Sequence, residues 1–171
     1  MKQKVLIVYS SKKDRTKRVA EAIKEGVERT GARVVFTEAA GELHAGDYGL
    51  VFIGSGIYKG RFSEDARRFV EENDWKGKRV AAFACYASSK SALAEFVKDL
   101  ESRGARVLNS LNIHAASLLN MIGLGRRLTE QDLIRARGFG ERMTNNAFGF
   151  KIKKNSKKYG IKGYIKPASS R

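Results

Sequence analysis

The sequence predicts an α/β fold built on a doubly wound parallel sheet, followed by a basic C-terminal extension. Short, nearly continuous apolar segments alternate with segments whose apolar residues recur at helical spacing. The 171 residues, 42% of them hydrophobic, suit one domain with one core. After residue 146 this periodicity fades into lysine, glycine and serine. We therefore expect a domain at residues 1–146 and an extension at 147–171.

Five segments are predicted to be strands. Residues 4–9, 50–53 and 79–84 are almost entirely apolar, which is typical of central parallel strands covered by helices on both faces. Residues 33–37 and 106–113 contain more polar side chains, which suits flanking positions in the sheet.

Between the strands, apolar residues at helical spacing predict amphipathic helices. The three sets are Val19, Ile23 and Val27; Ala66, Phe69 and Val70; and Leu93, Phe96, Val97 and Leu100. A short link at residues 38–49 is expected to contain a helical turn around Leu43. This alternation of strands and helices implies right-handed crossovers.

Capping residues mark where these helices begin and end. Thr16 and Ser63 are predicted to start the first two helices, and Thr129 to start a last helix that reaches about Met143. Gly31 and Gly104 follow two of the helices, where a left-handed residue is favoured.

The net charge of +16 is concentrated at the C-terminus. Half of it comes from residues 151–171, which contain no acid and these cations: Lys151, Lys153, Lys154, Lys157, Lys158, Lys162, Lys166 and Arg171. Aromatic residues are interleaved with these lysines. Three interpretations stay open: a solvated extension, an arm for nucleic acid, and a contact for an anionic membrane surface or an acidic redox protein. Because no nucleic-acid motif accompanies the tail, nucleic acid is the less favoured partner.

The composition argues against several other classes of protein. The single cysteine, Cys85, excludes an internal disulfide, and His44 and His114 lack the spacing of a metal site. The absence of a long apolar run or a signal peptide leads us to expect a cytoplasmic protein.

Loops that follow the first, third and fourth strands should meet at the carboxyl edge of the sheet, where such folds bind ligands. The first loop, residues 10–16, is basic, rich in hydroxyl groups and leads into a helix, so it suits a phosphate. The second, residues 54–60, contains three glycines and Tyr58, and the third begins Cys85-Tyr86. Two tyrosines beside a phosphate loop would suit a planar ring with a phosphorylated tail.

Three motifs resemble the flavodoxin superfamily, particularly its branch near protoporphyrinogen oxidases and archaeal flavodoxin-like proteins. They are Val5-Leu-Ile-Val-Tyr-Ser-Ser11, Thr16-Lys-Arg-Val-Ala-Glu-Ala-Ile23 and Asp47-Tyr-Gly-Leu-Val-Phe-Ile-Gly-Ser-Gly-Ile-Tyr58. The resemblance covers roughly residues 4–143. It implies a five-stranded sheet in the order 2-1-3-4-5 and bound FMN.

The resemblance assigns the FMN phosphate to the first loop and the flavin ring to the space between the other two. It implies these cofactor-binding residues: Ser10, Ser11, Lys12, Lys13, Arg15, Thr16, Ser55, Gly56, Ile57, Tyr58, Lys59, Gly60, Cys85, Tyr86 and Ser88. In the family, the second loop adjusts its backbone when the flavin gains a proton. The sequence departs from the family at Asp14, where the phosphate loop usually has glycine.

The expected function is electron transfer through bound FMN, with no side chain acting as acid or base. The protein could be a carrier or an oxidoreductase acting on a quinone or porphyrinogen, with an acidic redox protein or a small molecule as electron acceptor. Residues 115–125 could form a substrate surface, although core packing is favoured. The alternative function is a flavin-free basic module that binds acidic partners or nucleic acid.

Overall fold

A computed structural model describes residues 3–12, 14–40, 43–86, 91–114 and 128–149. The elements within these ranges, in chain order, are β1 (Lys4–Ser10), α1 (Arg15–Glu28), β2 (Arg33–Glu38), a 3-10 turn (Ala45–Asp47), β3 (Leu50–Tyr58), β4 (Arg61–Phe62), α2 (Glu64–Glu71), β5 (Arg79–Tyr86), α3 (Ser91–Ser102), β6 (Arg106–His114) and α4 (Glu130–Phe148).

The sheet has the order β2-β1-β3-β5-β6, and all of these strands are parallel. The short strand β4 pairs antiparallel with the end of β3 and is not one of the five strands in this order. With β4 set aside, the five parallel strands follow the predicted order 2-1-3-4-5. The predicted flanking strands are indeed the two at the ends of the sheet.

Helices cover both faces of the sheet because its central strands are apolar on both sides. On one face, α1 and α4 pack over side chains such as Val5, Leu50 and Phe52. On the other, α2 and α3 pack over side chains such as Leu6 and Ile53. The apolar sets predicted to form helix faces belong to these two cores.

Two of the predicted helix starts are correct. The Ser63 hydroxyl accepts a hydrogen bond from the backbone N–H of Ala66 at 3.3 Å, and Thr129 forms a reciprocal capping box with Asp132. The prediction for Thr16 is wrong because α1 begins one residue earlier, after Asp14, and Thr16 is buried in its first turn.

Several predicted boundaries also differ from the structure. Helix α4 continues to Phe148, beyond the predicted end at Met143, and ends at Gly149 in the left-handed conformation. The turn between β2 and β3 centres on Ala45–Asp47 rather than on Leu43. The segments 115–125 and 150–171 lie outside the described residues, so the expectations for them stay predictions.

Strand β3 is much longer than predicted, since residues 54–58 continue the strand instead of forming a loop. Gly54 and Gly56 pair with Phe83 and Cys85 in β5. A Cβ atom at Gly54 would lie 2.0 Å from the Phe83 ring. Glycine is therefore needed at position 54 because the phenylalanine ring fills the place of its side chain.

Helices α1 and α4 cross with their backbones in close approach. A Cβ atom at Gly26 would lie 1.9 Å from the carbonyl oxygen of Arg137, and one at Gly140 would lie 2.2 Å from that of Ile23. The two glycines set the spacing between these helices. None of the described helices is long and apolar enough to cross a membrane.

Candidate functional site

The carboxyl ends of β1, β3 and β5 lie side by side. Ser10 pairs with Ser55, and Ser55 pairs in turn with Ala84. The chain leaves β1 toward β2 on one side, whereas β3 lies on the other side, so the strand order reverses at β1. This is the point at which open α/β sheets bind ligands. The structure therefore brings the ends of these three strands to one edge, as predicted, whereas residues 87–89 of the third predicted loop lie outside the described residues.

The first loop connects β1 to the N-terminus of α1. Ser10 and Thr16 are buried, Ser11 and Arg15 are half-buried, and Lys12 is exposed. Lys13 lies outside the described residues. A helix N-terminus with neighbouring hydroxyls and cations favours an anion. That this loop binds a phosphate stays a prediction.

Asp14 lies at the start of α1 in a left-handed conformation, with a φ of 48°. Its side chain forms no capping hydrogen bond, while its carbonyl oxygen accepts one from the N–H of Arg18 at 2.9 Å. Glycine is the residue that adopts this conformation without steric cost. The aspartate therefore brings both backbone strain and a negative charge to the loop.

Tyr58 folds over the end of β3 toward the first loop. Its hydroxyl accepts a hydrogen bond from the backbone N–H of Lys12 at 3.0 Å. The Lys12 Nζ lies 5.1 Å from the centre of the Tyr58 ring. A Cβ atom at Gly56 would lie 2.6 Å from the same hydroxyl. An N–H of the first loop thus points to an oxygen above Gly56, next to a cation.

Ser55 supports the edge from beneath. Its hydroxyl donates to the carbonyl oxygen of Gly56 at 2.7 Å and accepts from the N–H of Ser63 at 2.9 Å. The side chain is fully buried. It links the end of β3 to the start of α2. Ser55 would therefore affect a bound ligand indirectly, by fixing the position of the Gly56 backbone.

A tight hairpin closes the second loop. Lys59 and Gly60 form its two-residue turn, and both have positive φ, as a type I′ turn requires. Ile57 is half-buried, and the two turn residues are exposed at the tip. The Phe62 ring of β4 stacks on Phe96 of α3 with the ring centres 3.8 Å apart. This contact holds the hairpin against the body of the domain.

The third strand end contributes Cys85 and Tyr86, whereas Ser88 lies outside the described residues. Cys85 is buried, and burial raises the pKa of its thiol to about 12. A hydrogen bond with Thr16 and the positive charge of Arg15 lower this pKa, but by less than burial raises it. The thiol is therefore protonated at neutral pH and is not suited to act as a nucleophile. The Tyr86 ring is half-buried, 5.0 Å from the ring of His114.

Sequence reasoning missed three contributors to this edge: the hairpin with β4, the buried role of Ser55, and His114 beside Tyr86. The hairpin could have been predicted from the sequence, because Lys59-Gly60 is a two-residue segment with glycine in second place between two short strand-like segments, which is typical of a tight turn. The other two depend on tertiary contacts. Within the described ranges, no group of three histidine, cysteine or acidic residues could hold a metal ion.

Comparison with known proteins identifies the family. The chain is similar to a flavodoxin from Archaea, with 20% identity and a TM-score of 0.69 over 84% of this chain and 98% of that one. It is also similar to flavodoxin 2 from Bacillus cereus, with 25% identity and a TM-score of 0.68 over 84% and 99% of the two chains.

A third similar structure is the flavodiiron protein from Giardia intestinalis, with 20% identity and a TM-score of 0.67. That match covers 86% of this chain but only 36% of the longer protein. No curated protein sequence matches this chain. The sequence pattern of the flavodoxin domain matches residues 6–116, and the chain therefore belongs to the flavodoxin domain family.

Proposed function

We propose that this protein binds FMN at the carboxyl edge of β1, β3 and β5 and transfers electrons through it. Flavin-based electron transfer is the activity of the family at large. The observation that carries the proposal is the hydrogen bond from the Lys12 N–H to the Tyr58 hydroxyl. It shows a loop N–H directed at an acceptor oxygen beside the N-terminus of α1, where a phosphate oxygen of FMN would be bound.

The residues at this edge fit FMN in three respects. The first loop offers hydroxyls, cations and a helix N-terminus to a phosphate. Gly56 has no side chain, which leaves room above the strand end once the Tyr58 ring turns aside. Tyr58 and Tyr86 lie on the two strand ends that would flank a planar ring. Bound FMN would supply the ability to accept and return electrons.

The side chains of this protein would bind and orient the cofactor rather than react. Ser10, Ser11 and Arg15 would hold the phosphate together with the N–H of Lys12. Tyr58, on rotating away from that N–H, would cover one side of the ring and exclude water. Ser55 would keep the Gly56 carbonyl in place through its 2.7 Å hydrogen bond.

The exposed cations near this edge, Lys12, Lys59 and Arg61, would favour an acidic redox protein or an anionic small molecule as electron acceptor. A carrier needs only the exposed edge of the ring. An oxidoreductase needs a substrate pocket beside it as well. Anaerobic reduction by a panel of donors, followed by reoxidation with a quinone or with an acidic redox protein, distinguishes the two.

A second candidate function is a basic binding module without flavin. The observation that favours it is Asp14, whose carboxylate lies in the phosphate loop and repels an anion. The deciding measurement is a titration of the apoprotein with FMN, followed by quenching of flavin fluorescence. Tight one-to-one binding supports the electron-transfer function. Failure of the wild type to bind, with binding gained by Asp14→Gly, supports the basic module.

A further inference from the structure

Ser10, the first residue of the candidate phosphate loop, lies against a carboxylate from a neighbouring helix. It is the last residue of β1, and it is buried. Its hydroxyl points to Oδ2 of Asp65 at 3.5 Å, which is long for a hydrogen bond but brings the two groups together. Asp65 belongs to the first turn of α2. A negative charge is therefore held beside the hydroxyl that would meet the tail of a bound flavin.

The charge of Asp65 is not neutralised by an ion pair within the described part of the chain. Arg68 lies one turn later on the same helix, but it pairs with Glu64 at 3.7 Å. Asp65 also lines a shallow groove whose other charged residues are Arg68 and Glu72. This groove thus contains two acids and one cation, and Asp65 keeps its negative charge next to Ser10.

Further carboxylates act on the end of β1 from its other side. Asp14 lies at the start of α1, and its side chain forms no capping hydrogen bond. Burial raises the pKa of Tyr9, which directly precedes Ser10, and the carboxylates of Glu38, Glu21 and Asp14 raise it further. The residues that adjoin the first loop are therefore acidic on both faces of the sheet.

The cations of this region do not outnumber these acids. Within residues 10–12 and 14–21 the cations are Lys12, Arg15, Lys17 and Arg18, while the acids that act on the end of β1 are Asp14, Glu21, Glu38 and Asp65. The Lys12 Nζ lies over the Tyr58 ring, and Arg15 acts on the Cys85 thiol, so both extend toward the ends of β3 and β5. The described part of the first loop therefore lacks the excess of positive charge that the whole chain has.

A phosphate and a hydroxyl group respond differently to this arrangement. A phosphate monoester has a charge of about −2 at neutral pH and repels a carboxylate, whereas a hydroxyl of a ligand can donate a hydrogen bond to one. The Ser10 hydroxyl has a single proton. While that proton points to Asp65, the oxygen can accept a bond from a ligand hydroxyl but cannot donate one to a phosphate. Ser10 and Asp65 together suit a neutral polyol.

The contact distance gives the size of the repulsion. A phosphate oxygen bonded to the Ser10 hydroxyl at about 2.8 Å would lie at most about 6 Å from Asp65 Oδ2. At that separation, in a medium close to water and at low ionic strength, one carboxylate weakens the binding of a group of charge about −2 by about tenfold. Asp14 in the same loop brings the combined loss to about a hundredfold.

We propose that this site accepts riboflavin nearly as well as FMN, and that Asp65 is a residue that determines this lack of preference. The inference rests on the proposed flavin function. Riboflavin and FMN have the same redox-active ring, and the ring is what transfers electrons. Asp65 adjoins the tail of the ligand and not the ring, so electron transfer does not require the phosphate.

The test is a titration of the full-chain apoprotein with FMN and, separately, with riboflavin, followed by quenching of flavin fluorescence at low ionic strength in a buffer without phosphate. The test variant is Asp65→Asn, and the matched control is Glu64→Gln. Glu64 is the adjacent exposed carboxylate in the same helical turn, but it pairs with Arg68. Each substitution removes one negative charge from the start of α2, so thermal unfolding should change by a similar amount in both.

We expect the wild type to bind riboflavin within about tenfold of its affinity for FMN, because the carboxylates offset most of what the phosphate contributes. Asp65→Asn should bind FMN about tenfold more tightly and riboflavin no more tightly, while Glu64→Gln changes the ratio of the two affinities by about threefold at most.

A clearly larger preference of the wild type for FMN, or equal changes of the ratio in the two variants, would overturn the inference. Binding of neither flavin would overturn the proposed function and this inference with it, whereas binding of FMN alone would overturn only the inference. The comparison of the two flavins in the wild type keeps the test decisive if a variant does not fold.

Discussion

Replacing Asp14 with glycine should improve both the stability of the fold and its affinity for FMN. Asp14 has a φ of 48°, a conformation that costs L-residues about 1–2 kcal/mol, and somewhat less for aspartate. Glycine removes this strain but gives the unfolded chain more freedom, which costs about 0.5–1 kcal/mol, so we expect a net gain of about 0.5 kcal/mol. For a protein of this size that gain raises the melting temperature by about 2 °C.

The same substitution removes a carboxylate from the phosphate loop. At about 6 Å, in a medium close to water, one unit charge changes the affinity for a phosphate of charge about −2 by about tenfold. Titration with FMN and thermal unfolding measure the two effects separately. Asp14→Asn is the matched control, because asparagine removes the charge and keeps a side chain in the left-handed conformation.

The two variants therefore separate charge from strain. Asp14→Asn should match Asp14→Gly in FMN affinity and gain less stability. If neither variant binds FMN more tightly than the wild type does, the carboxylate does not act on a phosphate in this loop. If Asp14→Gly is less stable than the wild type, the argument from backbone strain is refuted.

Three further predictions concern the same edge. Tyr58→Phe should bind FMN about threefold more tightly, because it lacks the hydroxyl that accepts the Lys12 N–H and competes with the cofactor for it. An unchanged affinity in the titration would contradict this competition. Gly54→Ala should destabilise the fold by about 1–3 kcal/mol in urea unfolding, and Phe83→Leu in the same chain should restore part of the loss. Cys85 should react with thiol reagents near neutral pH only after unfolding, since burial raises its pKa from 9.0 to about 12. The unfolded thiol ionises first, so stability should fall from pH 9 toward 12, less steeply in Cys85→Ala, and a parallel fall in both would contradict this linkage.

The parallel sheet was predictable because its central strands are buried on both faces and so appear as continuous apolar segments. Leu50 through Ile53 illustrate this, since all four side chains are fully buried. The flanking strand Arg33–Glu38 is only partly buried, and it accordingly contains both polar and apolar residues. The position of a strand in the sheet could be predicted because it determines how far the strand is buried, and burial determines which residues are apolar.

The details of the candidate site depend on contacts between distant residues and were less predictable. Glycine is common both in loops and where another side chain fills its place, so sequence could not show that Gly54 accommodates Phe83 within a strand. The direction of Tyr58 is set by its partner Lys12, 46 residues earlier in the chain. The identity of Asp14 was visible in the sequence, whereas its left-handed backbone was not.

The close crossing of α1 and α4 has a consequence for interpreting random mutagenesis. Gly26 and Gly140 admit no side chain, so a survey of substitutions would find both positions as intolerant as a binding loop. Helix α1 also carries the first loop at its N-terminus, so a methyl group at position 26 would displace that loop together with the helix. A variant at either glycine that failed to bind FMN would therefore report on the spacing between two helices, at least ten residues along the chain from the nearest residue predicted to bind FMN.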